Sequence, residues 1–178
     1  MQKALNRALA LTVLSILALY GGLWAANPAT ITVTVTIQNL SVSATGPIAF
    51  GLSTVGSETV SGSASTVTND GNITETYSLS LTNPAGWTAV QAAPGSEEYA
   101  LSAQFNSTAP AAASFTYADH ALSTVSTASS ATKFAGDQTG LSLAPSATRS
   151  LWFRFNAPTS TVVIAQQSIT VTVTAAAG

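Results

Sequence analysis

The chain has 178 residues, of which 7% are charged, and its formal net charge is -2. An average soluble protein carries roughly 25% charged residues, so this surface is expected to be rich in hydroxyl groups rather than ions. The low charge excludes the basic surface that nucleic-acid binding requires. The chain contains no cysteine, which excludes disulfides and thiolate metal sites.

The first 26 residues have the pattern of a Sec-type signal peptide. Lys3 and Arg7 precede an apolar run over residues 8–20, and two glycines and two alanines mark its exit. A basic segment, an apolar segment and a small-residue exit are typical of export signals. We therefore predict a hydrophobic signal helix at residues 1–26, its removal, and a secreted protein at the cell surface. The alternative is an uncleaved membrane anchor, since residues 8–26 are just long enough to cross a bilayer.

Residues 27–38 form the next segment, and its centre reads Ile-Thr-Val-Thr-Val-Thr-Ile from residue 31 to residue 37. The alternation places Ile31, Val33, Val35 and Ile37 on one face and threonines on the other, which is typical of a half-buried β-strand. A long uncharged strand needs a sheet to join. We predict that these four residues contact a neighbouring subunit, so that the segment acts as a donor strand. The alternative is an ordinary first strand that closes the sheet of its own chain.

From residue 39 onward, short alternating segments are separated by turn residues, as in an antiparallel β-sandwich. We expect about 8–10 strands, with no helix after the signal. Residues 121–148 lack a clear period and are predicted as a long surface loop. The predicted strands cover residues 40–44, 47–51, 60–68, 73–81, 97–105, 115–117, 149–156 and 168–174, with a further strand opening at Trp87.

A turn is predicted at Asn69-Asp70-Gly71-Asn72. Asp-Gly tolerates the positive φ angles of a type I′ turn, so residues 66–68 should form a hairpin with residues 73–81. The apolar residues that alternate along this and the other strands are expected to share one core. They are Tyr77, Leu79, Leu81, Trp87, Leu101, Phe105, Leu151, Phe153, Phe155, Val171 and Val173.

The run from Val67 to Leu79, followed by Asn-Pro-Ala-Gly-Trp at residues 83–87, resembles the hairpin of secreted Ig-like modules of the NEW3 type. Residues 151–158 and the Val/Thr strand after them resemble the close of such modules. This resemblance implies a single Ig-like antiparallel β-sandwich over residues 39–178, with a jelly-roll-like arrangement as a variant. It implies no activity, because this fold carries many functions. The layout of signal, donor strand and one sandwich more loosely resembles TasA-like and archaeal bundling-pilin filament subunits.

The sequence offers little that resembles catalytic chemistry, and we predict neither an enzyme nor a cofactor. His120 is the single histidine and is expected to lie exposed in a turn. Glu97 and Glu98 are adjacent, so on a strand they would point to opposite faces and could not act as a carboxylate pair. Asp119 and Asp137 are weak calcium candidates, because they lie in loops but outside the calcium-loop pattern.

Three Asn-x-Ser/Thr sequons begin at Asn39, Asn72 and Asn106, so attached glycans are compatible with the sequence. Trp152 alternates out of phase with its apolar neighbours Leu151 and Phe153. It is therefore predicted on the other face of its strand, as a candidate surface contact.

These observations favour a structural subunit of an extracellular filament or cell-surface assembly, with copies of itself as partners. Neither terminal strand carries the charge that usually protects a sheet edge. The alternative is a monomeric binding or spacer module, for example one that binds carbohydrate or mediates surface adhesion. Such a module would need an aromatic platform, and the candidates for it are Trp152, Tyr99 and Tyr117.

Overall fold

A computed structural model of the chain describes residues 28–178, so the predicted signal helix at residues 1–26 lies outside the described residues. The chain divides into two units, residues 1–36 and residues 37–178. In the first unit, residues 28–36 belong to no helix or strand, and all of them are exposed. Within residues 28–178, no helix has the length and apolar character needed to cross a membrane.

The second unit is an all-β structure, as predicted. Its elements in chain order are β1 (Val42–Ala44), β2 (Glu58–Val60), β3 (Ser65–Asn69), β4 (Glu75–Thr82), β5 (Thr88–Ala89), β6 (Glu98–Phe105), a 3-10 turn (Ala112–Ser114), α1 (Tyr117–His120), β7 (Thr127–Ala128), β8 (Thr148–Asn156) and β9 (Thr170–Ala177).

Two sheets are formed by these strands. The larger sheet has the order β1-β3-β8-β6-β5, and β2 also pairs with β8. Its pairs are antiparallel except for β5 and β6, which are parallel. The smaller sheet has the order β7-β4-β9, and its pairs are antiparallel. The long strands β6 and β8 form the centre of one sheet, and β4 forms the centre of the other.

The core lies between the sheets and is filled by alternate residues of these central strands. The inward apolar side chains of β4, β6 and β8 are at most 7% exposed. Those that the sequence predicted are Tyr77, Leu79, Leu81, Leu101, Phe105, Leu151, Phe153 and Phe155. Phe155 sits within an aromatic group, with its ring centroid 5.6 Å from Phe50, 6.0 Å from Trp87 and 6.1 Å from Tyr99. The predicted core residues Trp87, Val171 and Val173 are only half-buried.

The predicted hairpin at residues 66–81 is wrong. β3 and β4 belong to different sheets, so the turn between them crosses the core from one sheet to the other. The cause is Asn69, which is fully buried and organises the turn from inside. Its Oδ1 accepts a hydrogen bond from the Gly71 N–H at 2.8 Å, and its Nδ2 donates to the carbonyls of Ile73 and Leu143 at 2.9 and 3.0 Å.

The short strand predicted at residues 115–117 is also wrong, and so is the expectation of no helix after the signal, because α1 spans Tyr117–His120. Thr116 caps this helix and accepts a hydrogen bond from the Asp119 N–H at 3.2 Å. The segment covers the outer face of the larger sheet and places Arg154 between two aromatic rings, 5.5 Å from the Phe115 centroid and 5.1 Å from that of Tyr117. Both faces of β6 are therefore buried.

Candidate functional site

The predicted contact residues of the N-terminal segment are large apolar side chains that are mostly exposed to solvent. Ile31, Val33, Val35 and Ile37 are 87%, 86%, 83% and 74% exposed. No residue from 28 to 41 belongs to a strand in the part of the chain that the structure describes. The segment therefore presents an apolar face to solvent, at a cost that burial would relieve.

The chain that follows this segment is held by hydrogen bonds that we call the clasp. The side chain of Asn72 bonds at both ends: its Nδ2 donates to the Ile37 carbonyl at 2.7 Å, and its Oδ1 accepts from the Asn39 N–H at 2.8 Å. The buried carboxylate of Glu75 accepts from the Ser41 N–H at 2.8 Å. The clasp anchors residues 37–41 to the turn between β3 and β4.

Strand β9 gives the smaller sheet an open edge. Within residues 28–178 it pairs with β4 alone, through a register that runs from Glu75 opposite Ala177 to Thr82 opposite Thr170. Its inward residues Val171, Val173 and Ala175 pack on the core but are only half-buried. By contrast, the inward residues of β4 are at most 3% exposed. The core is thus incompletely covered along β9.

Electrostatics do not protect this edge. Neither residues 28–41 nor residues 161–178 contain a charged side chain. Sheet edges in monomeric proteins are commonly guarded by charge, by proline or by bulges. An uncharged edge and an uncharged extended segment can approach each other without desolvating an ion.

The carboxylates of the two weak calcium candidates already accept hydrogen bonds from serine or threonine residues. The Asp137 carboxylate accepts hydrogen bonds from both the N–H and the hydroxyl of Ser107, and the hydroxyl bond holds the pKa of Asp137 below its usual value. The Asp119 carboxylate accepts from the Thr116 hydroxyl at 3.2 Å. No group of three or more potential metal ligands occurs among the described residues 28–178.

His120 is buried, so the prediction of an exposed turn residue is wrong. Its Nδ1 accepts a hydrogen bond from the Thr116 N–H at 2.9 Å, and its Nε2 lies 3.0 Å from the Ala135 carbonyl oxygen. An amide donor at Nδ1 and a carbonyl acceptor at Nε2 match the tautomer that carries its proton on Nε2. Nδ1 therefore bonds to the cap of α1 itself, and Nε2 attaches α1 to the neighbouring loop at Ala135.

The aromatic residues considered for a carbohydrate platform do not form one exposed surface. Tyr99 is fully buried, and its hydroxyl donates to Asn83 Oδ1 at 3.0 Å. The Tyr117 ring stacks on Arg154. Trp152 is half-buried on the outer face of β8, and its indole N–H donates to the Asn106 carbonyl at 2.9 Å.

The sequence reasoning missed the clasp and the open edge of β9. The clasp depends on Asn72 and Glu75, which were assigned to a turn and to a strand without partners. A signal for it existed in Glu75, since a glutamate on the apolar face of a strand must find a hydrogen-bond donor. Comparison with models of protein families, with curated proteins and with solved structures found no match.

Proposed function

We propose that this protein is a structural subunit of an extracellular filament or cell-surface assembly, which polymerises by β-strand addition. The observation that carries the proposal is the exposed apolar face of Ile31, Val33, Val35 and Ile37 in a segment that has no strand partner among the described residues. Fully burying one such side chain contributes roughly 1.5–3 kcal/mol. Main-chain hydrogen bonds to a sheet edge would add direction and register.

We further propose that the β-sheet unit is an Ig-like module and that the chain is exported after loss of residues 1–26. Two features support an extracellular setting. The surface is poor in charge, and the chain has no free thiol to oxidise. On this proposal the donor segment is released from the signal at its N-terminal end, and the clasp holds the residues that follow it, 37–41.

Substitutions on the two faces of the donor segment test the proposal. We expect Val35→Lys to abolish assembly, because the charge would have to be buried against a neighbouring sheet. The matched control is Thr36→Lys, which adds the same charge to the opposite face and should assemble like the unchanged protein. Size-exclusion chromatography and negative-stain microscopy of the full chain, expressed so that export and processing take place, give the readout.

Two results would overturn the proposal. One is an unchanged protein that stays monomeric at high concentration. The other is a Val35→Lys variant that assembles as well as the Thr36→Lys control.

A further inference from the structure

We infer that the acceptor for residues 30–38 is the free edge of β9 in a second copy of this chain, so that the smaller sheet grows from three strands to four across the subunit boundary. This inference rests on the proposed function and names the surface that completes it. The partner is a copy of the chain itself, and the contact is made by one strand from each copy.

Length selects β9 among the strands that have an unpaired side. Residues 31–37 can pair along their whole length only with a strand of similar extent. β9 has eight residues. The other strands with an open side in the described part of the chain, β1, β2, β5 and β7, have two or three residues each.

The direction of the backbone groups of β9 also fits. The backbone N–H and C=O groups of even-numbered β4 residues point towards β9. Those of odd-numbered residues point away from it, since the N–H groups of Glu75, Tyr77 and Leu81 bond to the carbonyls of Leu143, Gly140 and Ser123. The register places even-numbered β9 residues opposite even-numbered β4 residues, for example Thr172 opposite Ser80. The N–H and C=O groups of Val171, Val173 and Ala175 therefore point to the open side, where a fourth strand would bind them.

The half-buried side chains give the new strand an apolar surface to cover. Along β9 the inward residues Val171, Val173 and Ala175 remain partly exposed. At the edge of the larger sheet, Val42 of β1 is partly buried in the same way and packs on the same core. β1 and β9 approach within 8 Å between Cα atoms, so Val42 and the inward residues of β9 lie on one side of the molecule. An added strand would place its own alternate apolar residues there.

The sequence of the donor matches that of the edge. Residues 31–36 and residues 169–174 are the same hexapeptide, Ile-Thr-Val-Thr-Val-Thr. In β9 this hexapeptide already pairs with β4, with Val173 opposite Leu79 and Thr172 opposite Ser80. If residues 31–36 of one chain pair with residues 169–174 of another, valine lies beside valine on the core side of the sheet and threonine lies beside threonine on the solvent side. Such cross-strand pairs are favourable.

Engineered cysteines test the contact directly, because the chain has none of its own. Thr34 is at the centre of residues 31–37, and Thr172 is at the centre of residues 169–175. In-register pairing would therefore place them opposite each other in either strand direction, at a Cα separation of about 4.5–5.5 Å that a disulfide can bridge. A mixture of full-chain Thr34→Cys and Thr172→Cys variants, assembled and then oxidised, should give disulfide-linked dimers in denaturing gels.

The matched control replaces Thr172→Cys by Ser80→Cys. Ser80 lies opposite Thr172 on β4 and faces the same side, but it is one strand farther from the proposed donor. We expect this mixture to assemble without forming the disulfide. Linkage to position 80 in preference to position 172 would overturn the inference.

The outcomes separate the acceptor site from the proposed function. Filaments that form without the 34–172 disulfide would refute the β9 acceptor and leave strand addition standing. A double variant, Thr34→Cys with Thr172→Cys, that closes the disulfide within one monomer would refute the contact between copies. No assembly in any sample, the unchanged protein included, would refute the proposed function and the acceptor together.

Discussion

At the scale of single residues, glycine is required at position 71 for a reason other than the expected backbone conformation. Positive φ was expected there, but the positive-φ glycines among the described residues are Gly51 and Gly56. Gly71 is needed for space instead. A Cβ at this position would collide with the Asn39 carbonyl oxygen and with Glu75 Oε1, which are atoms of two residues that form the clasp.

We therefore expect Gly71→Ala to destabilise the protein by about 1–3 kcal/mol, as overpacking does at a tight site. The measurement is the midpoint of urea unfolding. The control is Gly62→Ala, since a Cβ at residue 62 would meet nothing within 4 Å. Equal midpoints for the two variants would show that the clasp does not crowd residue 71.

The phenol of Tyr77 makes stability depend on alkaline pH. Burial, together with the negative charges of Glu75 and Asp70, raises the pKa of Tyr77 to about 12. In the unfolded chain the phenol ionises near pH 10, so between about pH 10 and 12 the unfolded state loses its proton first and is favoured. The stability due to this group is complete below pH 10 and is lost as the pH rises through that window.

Replacing Tyr77 by phenylalanine should reduce this loss. The Tyr77 hydroxyl is buried without a hydrogen-bond partner among the described residues, so its removal should cost little at neutral pH. Tyr99→Phe is the comparison: burial raises the pKa of Tyr99 to about 12 as well, but this variant also loses the bond to Asn83. Melting temperatures across pH 7 to about 12 check the prediction, which fails if Tyr77→Phe declines as steeply as the unchanged protein.

At the scale of elements, alternation predicted the long strands and failed where polar side chains decide the path. The inward faces of β4, β6 and β8 were predicted correctly, because their apolar residues recur at every second position. The hairpin was predicted wrongly. Asp-Gly indicates only a local turn, whereas the path of the chain depends on the buried amide of Asn69 and its contacts with residues distant in sequence. Residues 115–117 were given to a strand because the Thr116 cap of α1 was overlooked.

The candidate interaction segment was predictable only in part. The alternation of Ile31, Val33, Val35 and Ile37 identified its apolar face from the sequence. Whether its own sheet would include it depends on which strands already pair, and sequence periodicity carries no such information. Three large core residues in the predicted loop, Leu122, Phe134 and Leu143, were missed for a similar reason, since they reach the core from irregular backbone.

At the scale of the whole molecule, the unit from residue 37 to residue 178 combines a well-filled centre with one thinly covered side. Phe105, Leu151 and their neighbours between the sheets are almost fully buried, whereas the β9 side keeps its valines half-exposed. If the proposed assembly forms, the isolated subunit should be less stable than the assembled one, because burial on assembly adds apolar contacts that the single copy lacks.

The scarcity of cationic side chains has a consequence for proteolysis. Within residues 28–178 trypsin has only Lys133, Arg149 and Arg154 as cleavage points. Both arginines lie in β8, where Arg149 pairs with β3 and Arg154 pairs with β2 and β6, so cutting there requires the larger sheet to open. Lys133 follows an exposed turn at residues 131–132.

We expect native protein to be nicked after Lys133 at most, with the two pieces remaining together until denatured, whereas urea-unfolded protein is cut at all three positions. Mass spectrometry of a timed digest checks this, and early cleavage after Arg154 in native protein would contradict it. A coat or fibre built from such subunits would present few accessible cleavage sites to trypsin-like proteases. It would therefore persist longer where such proteases are secreted by other organisms.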